Sequence, residues 1–371
     1  MEKQHLTYFK IENFKRFDSF EMDNLGQFNL IVGDNNVGKT SVLEALTFDD
    51  DARKILTNFW GVTAFRGTYQ FQKTRLEPDD IQQTRFWESI FRNLNSAIKI
   101  KNSDSPFDIF IELRPHLKLS EEEKILINNA IITIIPTYWI KVSFIGEDGN
   151  LIDYQLIPAY MEGASTNNKD NFISSYIPFI PANIGYKSDL LNLYYLFVNP
   201  DKKNRKETED NLRKFIPNLE EIRPHKISPE QEVIGVTLLN SDIILPLTYF
   251  GDGTVKYFRF LLEIFISRNR RLMVDEIGSG IHFSRLKLYW KSVLQLCKQF
   301  KVQLFATTHS LECQRAFVDA LEDPEMQQYQ KDARNITLLE NKQGEVKAVT
   351  YDFEQFEYAL NIGFNTRGGV L

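Results

Sequence analysis

FNLIVGDNNVGKTSVLEAL, Phe28 to Leu46, runs from an apolar strand through a loop bounded by glycines into a helix. Gly33, Asp34, Asn35, Asn36, Val37, Gly38, Lys39 and Thr40 fit the phosphate-binding pattern G-x-x-x-x-G-K-[ST], with Ser41 continuing the helix. The pattern requires a strand before it and a helix after it, and both are present. With glycine usage of about 7%, an accidental match is expected on the order of once in a hundred chains of this length. The glycines let backbone N–H groups point at phosphate oxygens, and the helix adds the positive end of its dipole. Lys39 is expected to bridge the β- and γ-phosphates, and Thr40 to place its hydroxyl on the metal. ATP and Mg2+ are the cofactors this chemistry implies.

A phosphate cradle does not activate water, so a second element is needed. RLMVDEIGSGIH, Arg271 to His282, supplies a short apolar strand ending in two acids. At the carboxyl end of a buried parallel strand, Asp275 is placed to hold magnesium and Glu276 to orient or deprotonate the attacking water. A third apolar strand, LFATTHS, Leu304 to Ser310, ends in small polar residues and a histidine. About thirty residues separate the two strand ends, room for one helix and a return strand, so both open onto one edge of the sheet. His309 is therefore expected at the γ-phosphate. For His282 two readings stay open, a site role or a cap on the following helix.

Working outward, the first residues predict strands at Leu6 to Ile11 and Ser19 to Met22, and the phosphate loop leads into a helix from Lys39 to Leu46. The middle reads as a mixture: a helix at Gln82 to Leu94, strands at Phe107 to Leu113 and Ile131 to Phe144, and helices at Ser188 to Phe197 and Thr208 to Phe215, then a strand at Val233 to Leu239. YWIKVSFIGEDGNLIDYQLIPAY, Tyr138 to Tyr160, predicts a β-hairpin, because two alternating segments flank an Asp148-Gly149 pair suited to positive φ. The last third predicts a helix from Thr254, strand Arg271 to Val274, helix Phe283 to Phe300 and strand Val302 to Ala306. A helix from Leu311, a strand pair joined through Gly344 and a helix from Phe353 complete it. This alternation is of the α/β class.

Composition narrows little beyond that. The N-terminal residues alternate polar and apolar and lack the apolar run of a signal peptide or membrane span, so a cytoplasmic location away from membranes is expected. Cys297 and Cys313 are too few for a disulfide framework or a zinc site and read as buried packing residues. A formal charge of −6 leaves DNA open as a partner, since phosphate binding depends on clustered rather than total charge. The basic run Lys202 to Lys206 reads as a solvated loop.

The order IENFKRF, GDNNVGKTS, PLTYFGDGTVKYF, LMVDEIGSGIH, FATTHSLEC resembles the bacterial AAA family ATPases related to RecF, SMC and OLD proteins, in their subgroup of small stand-alone ATPases. The resemblance covers roughly residues 1 to 48 and 178 to 371. It implies an ABC-type P-loop ATPase head with an antiparallel β element and an inserted α+β middle region. In that scheme residues 1–48 carry the first part of the ATPase core, 49–246 the inserted middle with the β-hairpin and helices, and 247–371 the rest of the core. It also implies that Gly251, Asp252, Gly253 and Thr254 occupy the place of the signature loop, which contacts nucleotide held by a second subunit. A Gly-Asp-Gly turn opening a helix suits an anion in any case. Lys15 and Arg16 gain a role near the nucleotide, against a solvated turn, and the glutamine linking magnesium to the insert is Gln70 or Gln72.

The function expected from this resemblance is an ATP-hydrolysing switch that forms a homodimer or larger homo-oligomer around ATP. Only about sixty residues follow His309, too few for a second catalytic domain, so a separate nuclease-like effector protein and a part in anti-phage defence are expected. The alternatives are a RecF-like DNA-repair clamp and a transporter nucleotide-binding subunit. The long, strand-containing insert argues against the transporter.

Overall fold

The computed structural model describes residues 5–48, 54–55, 57–59, 61, 85–128, 136–159, 176, 178–182 and 189–363. Strands β1 (Phe9–Phe14), β2 (Phe17–Met22) and β3 (Phe28–Gly33) open the chain. The middle adds β4 (Ile98–Asn102), β5 (Asp108–Pro115), β6 (Tyr138–Ile145), β7 (Leu151–Pro158) and the short β8 (Phe179–Ile180). After these come β9 (Leu219–Lys226), β10 (Glu232–Leu238), β11 (Ile244–Pro246), β12 (Arg271–Val274), β13 (Gln303–Thr307), β14 (Ala333–Glu340) and β15 (Val346–Tyr351).

The core sheet has the order β15-β14-β3-β13-β12-β8. Every neighbouring pair from β14 to β8 is parallel, and β15 returns antiparallel as a hairpin. All residues of β3 and β13 are buried, which requires that both faces of the sheet be covered. Alternation along the strands sorts the side chains by face. Phe28, Leu30, Val32, Leu272 and Val274 pack with the helices Asp252–Ile266, Leu286–Gln299 and Leu311–Glu322. Ile31, Met273 and Phe305 point the other way, into a core shared with the P-loop helix Lys39–Ala45 and a second sheet.

That second sheet, β2-β1-β4-β5-β6-β7, is antiparallel throughout. Thus the N-terminal strands and the middle of the chain build one layer together, and the hairpin β6–β7 forms its far edge. A third sheet, β11-β10-β9, is also antiparallel and packs through Ile222, Ile234 and Val236 on the helical side. One side chain ties the first two layers. Buried Gln303, at the start of β13, accepts from the Leu6 amide at 2.9 Å and donates to the carbonyls of Leu6 and Gly26 at 2.8 Å each.

Most predicted elements are present, and the departures have local causes. The basic run Lys202 to Lys206 is not a loop: it opens the helix Lys202–Leu212, capped by the Asp201 carboxylate accepting from the amides of Lys203 and Asn204. The buried stripe of that helix is Asn204, Thr208, Asn211 and Leu212, mostly polar, so an apolar-periodicity reading starts it too late. The helix predicted from Thr254 starts at Asp252. Of Gln82 to Leu94, only 85–88 are helical among the described residues. The strand placed at Ile131 to Phe144 is Tyr138–Ile145, and 131–135 lie outside the described residues. Both cysteines are buried and free. No helix among the described residues is long and apolar enough to cross a membrane.

Gln303→Ala would take the Gln303 partner from the Leu6 N–H and carbonyl and one of two donors from the Gly26 carbonyl, which keeps Asn29. A loss of about 2–4 kcal/mol in denaturant unfolding is expected, with ATP turnover per folded molecule unchanged.

Candidate functional site

The order β3-β13-β12 delivers three strand ends side by side. From β3 the chain turns through the phosphate loop at Gly33 to Gly38 and enters the helix Lys39–Ala45. Gly38, the residue before that helix, has φ 107°, and a Cβ there would stand 2.9 Å from side-chain atoms of Arg16 and Phe17. Only glycine fits. The helix has neither a side-chain cap nor an acidic residue in its first turn, which leaves its positive end unneutralised. Lys39 folds back over the loop and donates to the carbonyls of Gly33 at 2.9 Å and Asp34 at 3.0 Å. Burial pulls its ammonium below the ordinary lysine range, opposed by the charges of Glu276, Asp275 and Asp34.

Asp275 follows β12 directly and meets the P-loop helix across β13. Thr40 donates its hydroxyl to one carboxylate oxygen at 3.0 Å, and Thr307, at the end of β13, donates to the other at 2.6 Å. Burial pushes the Asp275 carboxyl up, while the hydroxyls of Thr307 and Thr40 pull it down and the charges of Glu276 and Glu44 raise it further. A divalent cation would favour the ionised form. A carboxylate and a hydroxyl already in contact, both of hard oxygen chemistry, suit magnesium, which keeps several ligands for water and substrate phosphate.

Glu276 takes a left-handed backbone, φ 48°. For a non-glycine residue this costs of the order of 1–2 kcal/mol, and it is held on both sides. Its N–H donates to the Thr307 hydroxyl at 2.9 Å, and its carbonyl accepts from buried Lys256. The conformation directs the carboxylate at His309, whose Nδ1 lies 2.7 Å away. His309 is 63% exposed, so it faces the open side of the site. Burial lowers the Lys256 ammonium to about 8, with Glu276 and Asp275 opposing the shift.

A family model described as "AAA domain, putative AbiEii toxin, Type IV TA system" matches residues 28–312, from β3 to just past His309. The chain belongs to this family. An "ATP/GTP phosphatase" of Helicobacter pylori (strain ATCC 700392 / 26695) is 22% identical over 329 residues, covering 82% of this chain and 85% of that protein. Among solved structures, the SMC head domain from Thermotoga maritima is 11% identical with a TM-score of 0.41, covering 94% of this chain and 100% of that one. An Smc head with extended coiled coil from Pyrococcus furiosus, bound to the C-terminal domain of ScpA, is 11% identical with a TM-score of 0.46, covering 96% and 99%. This AAA-family ATPase has the α/β core expected from its sequence, antiparallel β element included.

The structure of the ATPase brings Lys39, Thr40, Asp275, Glu276 and His309 together. It keeps Gly251 to Thr254 apart from them: these residues line a separate depression of about 400 Å³, with Phe250, Gly280, His282 and Arg285 among its walls. Gly251 has φ 85°, and a Cβ on Gly253 would stand 2.7 Å from the Gly280 carbonyl oxygen, so the loop lies directly on the turn after Glu276. The Thr254 hydroxyl and amide are bonded inside the loop, to the carbonyls of Phe250 and Gly251. His282 caps the turn Phe283–Arg285 through Nδ1, the second of its two readings, and also faces this depression.

Lys15 and Arg16 diverge. Lys15 turns beneath the P-loop helix into a buried pair with Glu44 at 2.6 Å, whereas Arg16 donates to the Asn36 carbonyl of the phosphate loop and pairs with Glu340 at 2.7 Å. Gln70 and Gln72 lie outside the described residues. Sequence reasoning missed Thr307 and Lys256. Thr307 stands in the quoted strand-end motif, and its position two residues before His309 is the only signal. Lys256 carries no signal, because a lysine in a helix is ordinarily a solvated one.

Two substitutions separate binding from chemistry. Lys39→Ala should weaken nucleotide binding by about 2 kcal/mol or more, through loss of charge-assisted bonds to phosphate. Glu276→Gln should hold affinity within about threefold while turnover falls by about 10²–10⁴-fold. Fluorescent-nucleotide titration beside phosphate release measures both.

Proposed function

We propose that this ATPase is a nucleotide-gated switch: two copies close head to tail on two ATP molecules and part on hydrolysis. The observation that carries this reading is the division of the machinery within one chain. The phosphate loop, Asp275, Glu276 and His309 share one strand edge, whereas Gly251 to Thr254 open onto a separate depression. Beside that depression Tyr249 and Phe283 are 75% and 71% exposed, apolar surface suited to burial against a second copy. In a head-to-tail pair each loop would face the phosphates held by the other copy, and its glycines and helix start suit an anion.

On this reading Lys39 and the loop amides hold the β- and γ-phosphates. Glu276 accepts a proton from the attacking water, and His309, bonded to that carboxylate, orients it and reaches the γ-phosphate side. Thr40 and Asp275 would hold magnesium, whose positive charge would offset that of the phosphate oxygens. The cell-level proposal is a component of an anti-phage defence system that works with a separate nuclease-type effector. The toxin–antitoxin description of its family supports defence over DNA repair.

With ATP and Mg2+, the Glu276→Gln protein is expected to sediment at twice the monomer mass or more, and as the smaller species after nucleotide removal. One mass under both conditions would overturn the nucleotide-gated dimer. For the effector, co-expression with the neighbouring gene product should give co-purification and ATP-dependent protection from phage; neither result would leave the repair reading ahead.

A further inference from the structure

The helix Asp252–Ile266 begins in the Gly251 to Thr254 loop and is buried continuously from Thr254 to its end. Buried against other helices on one face of the core sheet, it is constrained to move as a unit with the loop that opens it. Two contacts join it to the Glu276 segment. The first is the close approach of Gly253 to the Gly280 carbonyl, where even a methyl group would not fit. The second is Lys256, in the first turns of the helix, whose Nζ donates to the main-chain carbonyl of Glu276.

The second contact reaches the carboxylate that the proposed mechanism depends on. The Glu276 N–H and the following Ile277 N–H are both held by Thr307, through its hydroxyl and its carbonyl, at 2.9 Å each. Those bonds anchor the segment to β13 on one side. Lys256 anchors it on the other, from the helix that the Gly251 to Thr254 loop begins. These bonds hold Glu276 at φ 48°, and a return of φ toward the right-handed region would turn its Cα–Cβ bond and carry the carboxylate away from His309. A buried ammonium is also a costly choice for a residue that only packs, since an apolar side chain of similar length would fill the same volume without desolvating a charge.

We infer that Lys256 is a positioning residue that couples the Gly251 to Thr254 loop to Glu276 of the same chain, so that engagement of the loop by a partner's nucleotide sets the geometry of this chain's own water-activating carboxylate. The inference rests on the proposed head-to-tail dimer for the identity of what engages the loop. It makes the two ATP sites of a dimer interdependent: each site's phosphates report, through the facing loop and Lys256, to the carboxylate of the other.

The test compares Lys256→Met, which keeps the stem and removes the donor, with Lys256→Arg, which keeps a charged donor. Binding of fluorescent ATP, kcat, KM, thermal midpoint and sedimentation with ATP are measured on the full chain. Lys256→Met should bind nucleotide within about threefold of the unmodified protein and still associate, while kcat falls about 10–100-fold, the scale of a misplaced reacting group. Lys256→Arg should recover most of that loss. In the unmodified protein, turnover per molecule should rise with protein concentration as dimers form, and in Lys256→Met this rise should vanish. Should Lys256→Met not fold, Lys256→Gln takes its place with the same comparisons. Unchanged kcat in a folded variant lacking the charged donor would overturn the positioning role, and a retained concentration dependence would overturn the coupling. If the unmodified protein stays monomeric with ATP, the dimer reading fails and the coupling with it, whereas kcat against binding still decides whether Lys256 positions Glu276.

Discussion

The Asp275 carboxylate, gripped between the hydroxyls of Thr40 and Thr307, is the contact on which the arrangement of the site depends. Three segments far apart in the chain must end within hydrogen-bond reach of one buried acid. Parallel pairing achieves this, because β3, β13 and β12 point their carboxyl ends the same way and β13 lies between the other two. The acid is buried, and burial alone favours its protonated form; the two hydroxyl donors offset that, and a cation would complete the compensation. Fold and site are therefore one constraint. A slip of one residue in β13 would turn Thr307 to the other face, taking a donor from Asp275 and an acceptor from the Glu276 amide.

The second layer supports the phosphate loop from behind. Lys15, in the β1–β2 turn, pairs with Glu44 on the P-loop helix, and the Glu44 side chain is wholly buried. Breaking a buried pair from one side costs about 3–5 kcal/mol, because a buried charge loses its opposite. The antiparallel sheet is thus more than a cover for the apolar face of the core. It holds the helix whose first residues are proposed to meet the nucleotide, and Arg16 from the same turn braces the loop itself through the Asn36 carbonyl.

Glu276 joins these parts to the helical side. Its strained backbone persists because Thr307 and Lys256 hold opposite ends of the segment, one on the sheet and one on the helix that starts at the Gly251 to Thr254 loop. Strain held in place by surrounding contacts at the carboxylate proposed to activate water suits a switch better than a relaxed geometry does, since a small movement of one contact changes the carboxylate's aim. The depression beside the loop and the exposed Tyr249 and Phe283 place the surface proposed for a second copy at the outer end of that same connection.

Much of this was written in local sequence. The phosphate loop, the acids after Arg271 to Val274 and the histidine after the third apolar strand each lie within a dozen residues, and each depends on a strand end whose apolar run is visible without any tertiary contact. The hairpin β6–β7 was legible for the same reason, through its alternation and its Asp-Gly turn. What depends on contacts between distant segments was not. The helix Lys202–Leu212 buries Asn204, Thr208 and Asn211, so its inward face carries no apolar period, and its basic residues read as loop. That β4–β7 continue the sheet begun by β1 and β2 follows from pairing across roughly ninety residues, which no local pattern encodes. Lys256 looks like any helical lysine until the helix packs and aims it at one carbonyl. Sequence named the groups that can do the chemistry, because their types and spacing are local; only the tertiary structure decided which of them touch, because burial and pairing are properties of segments brought together.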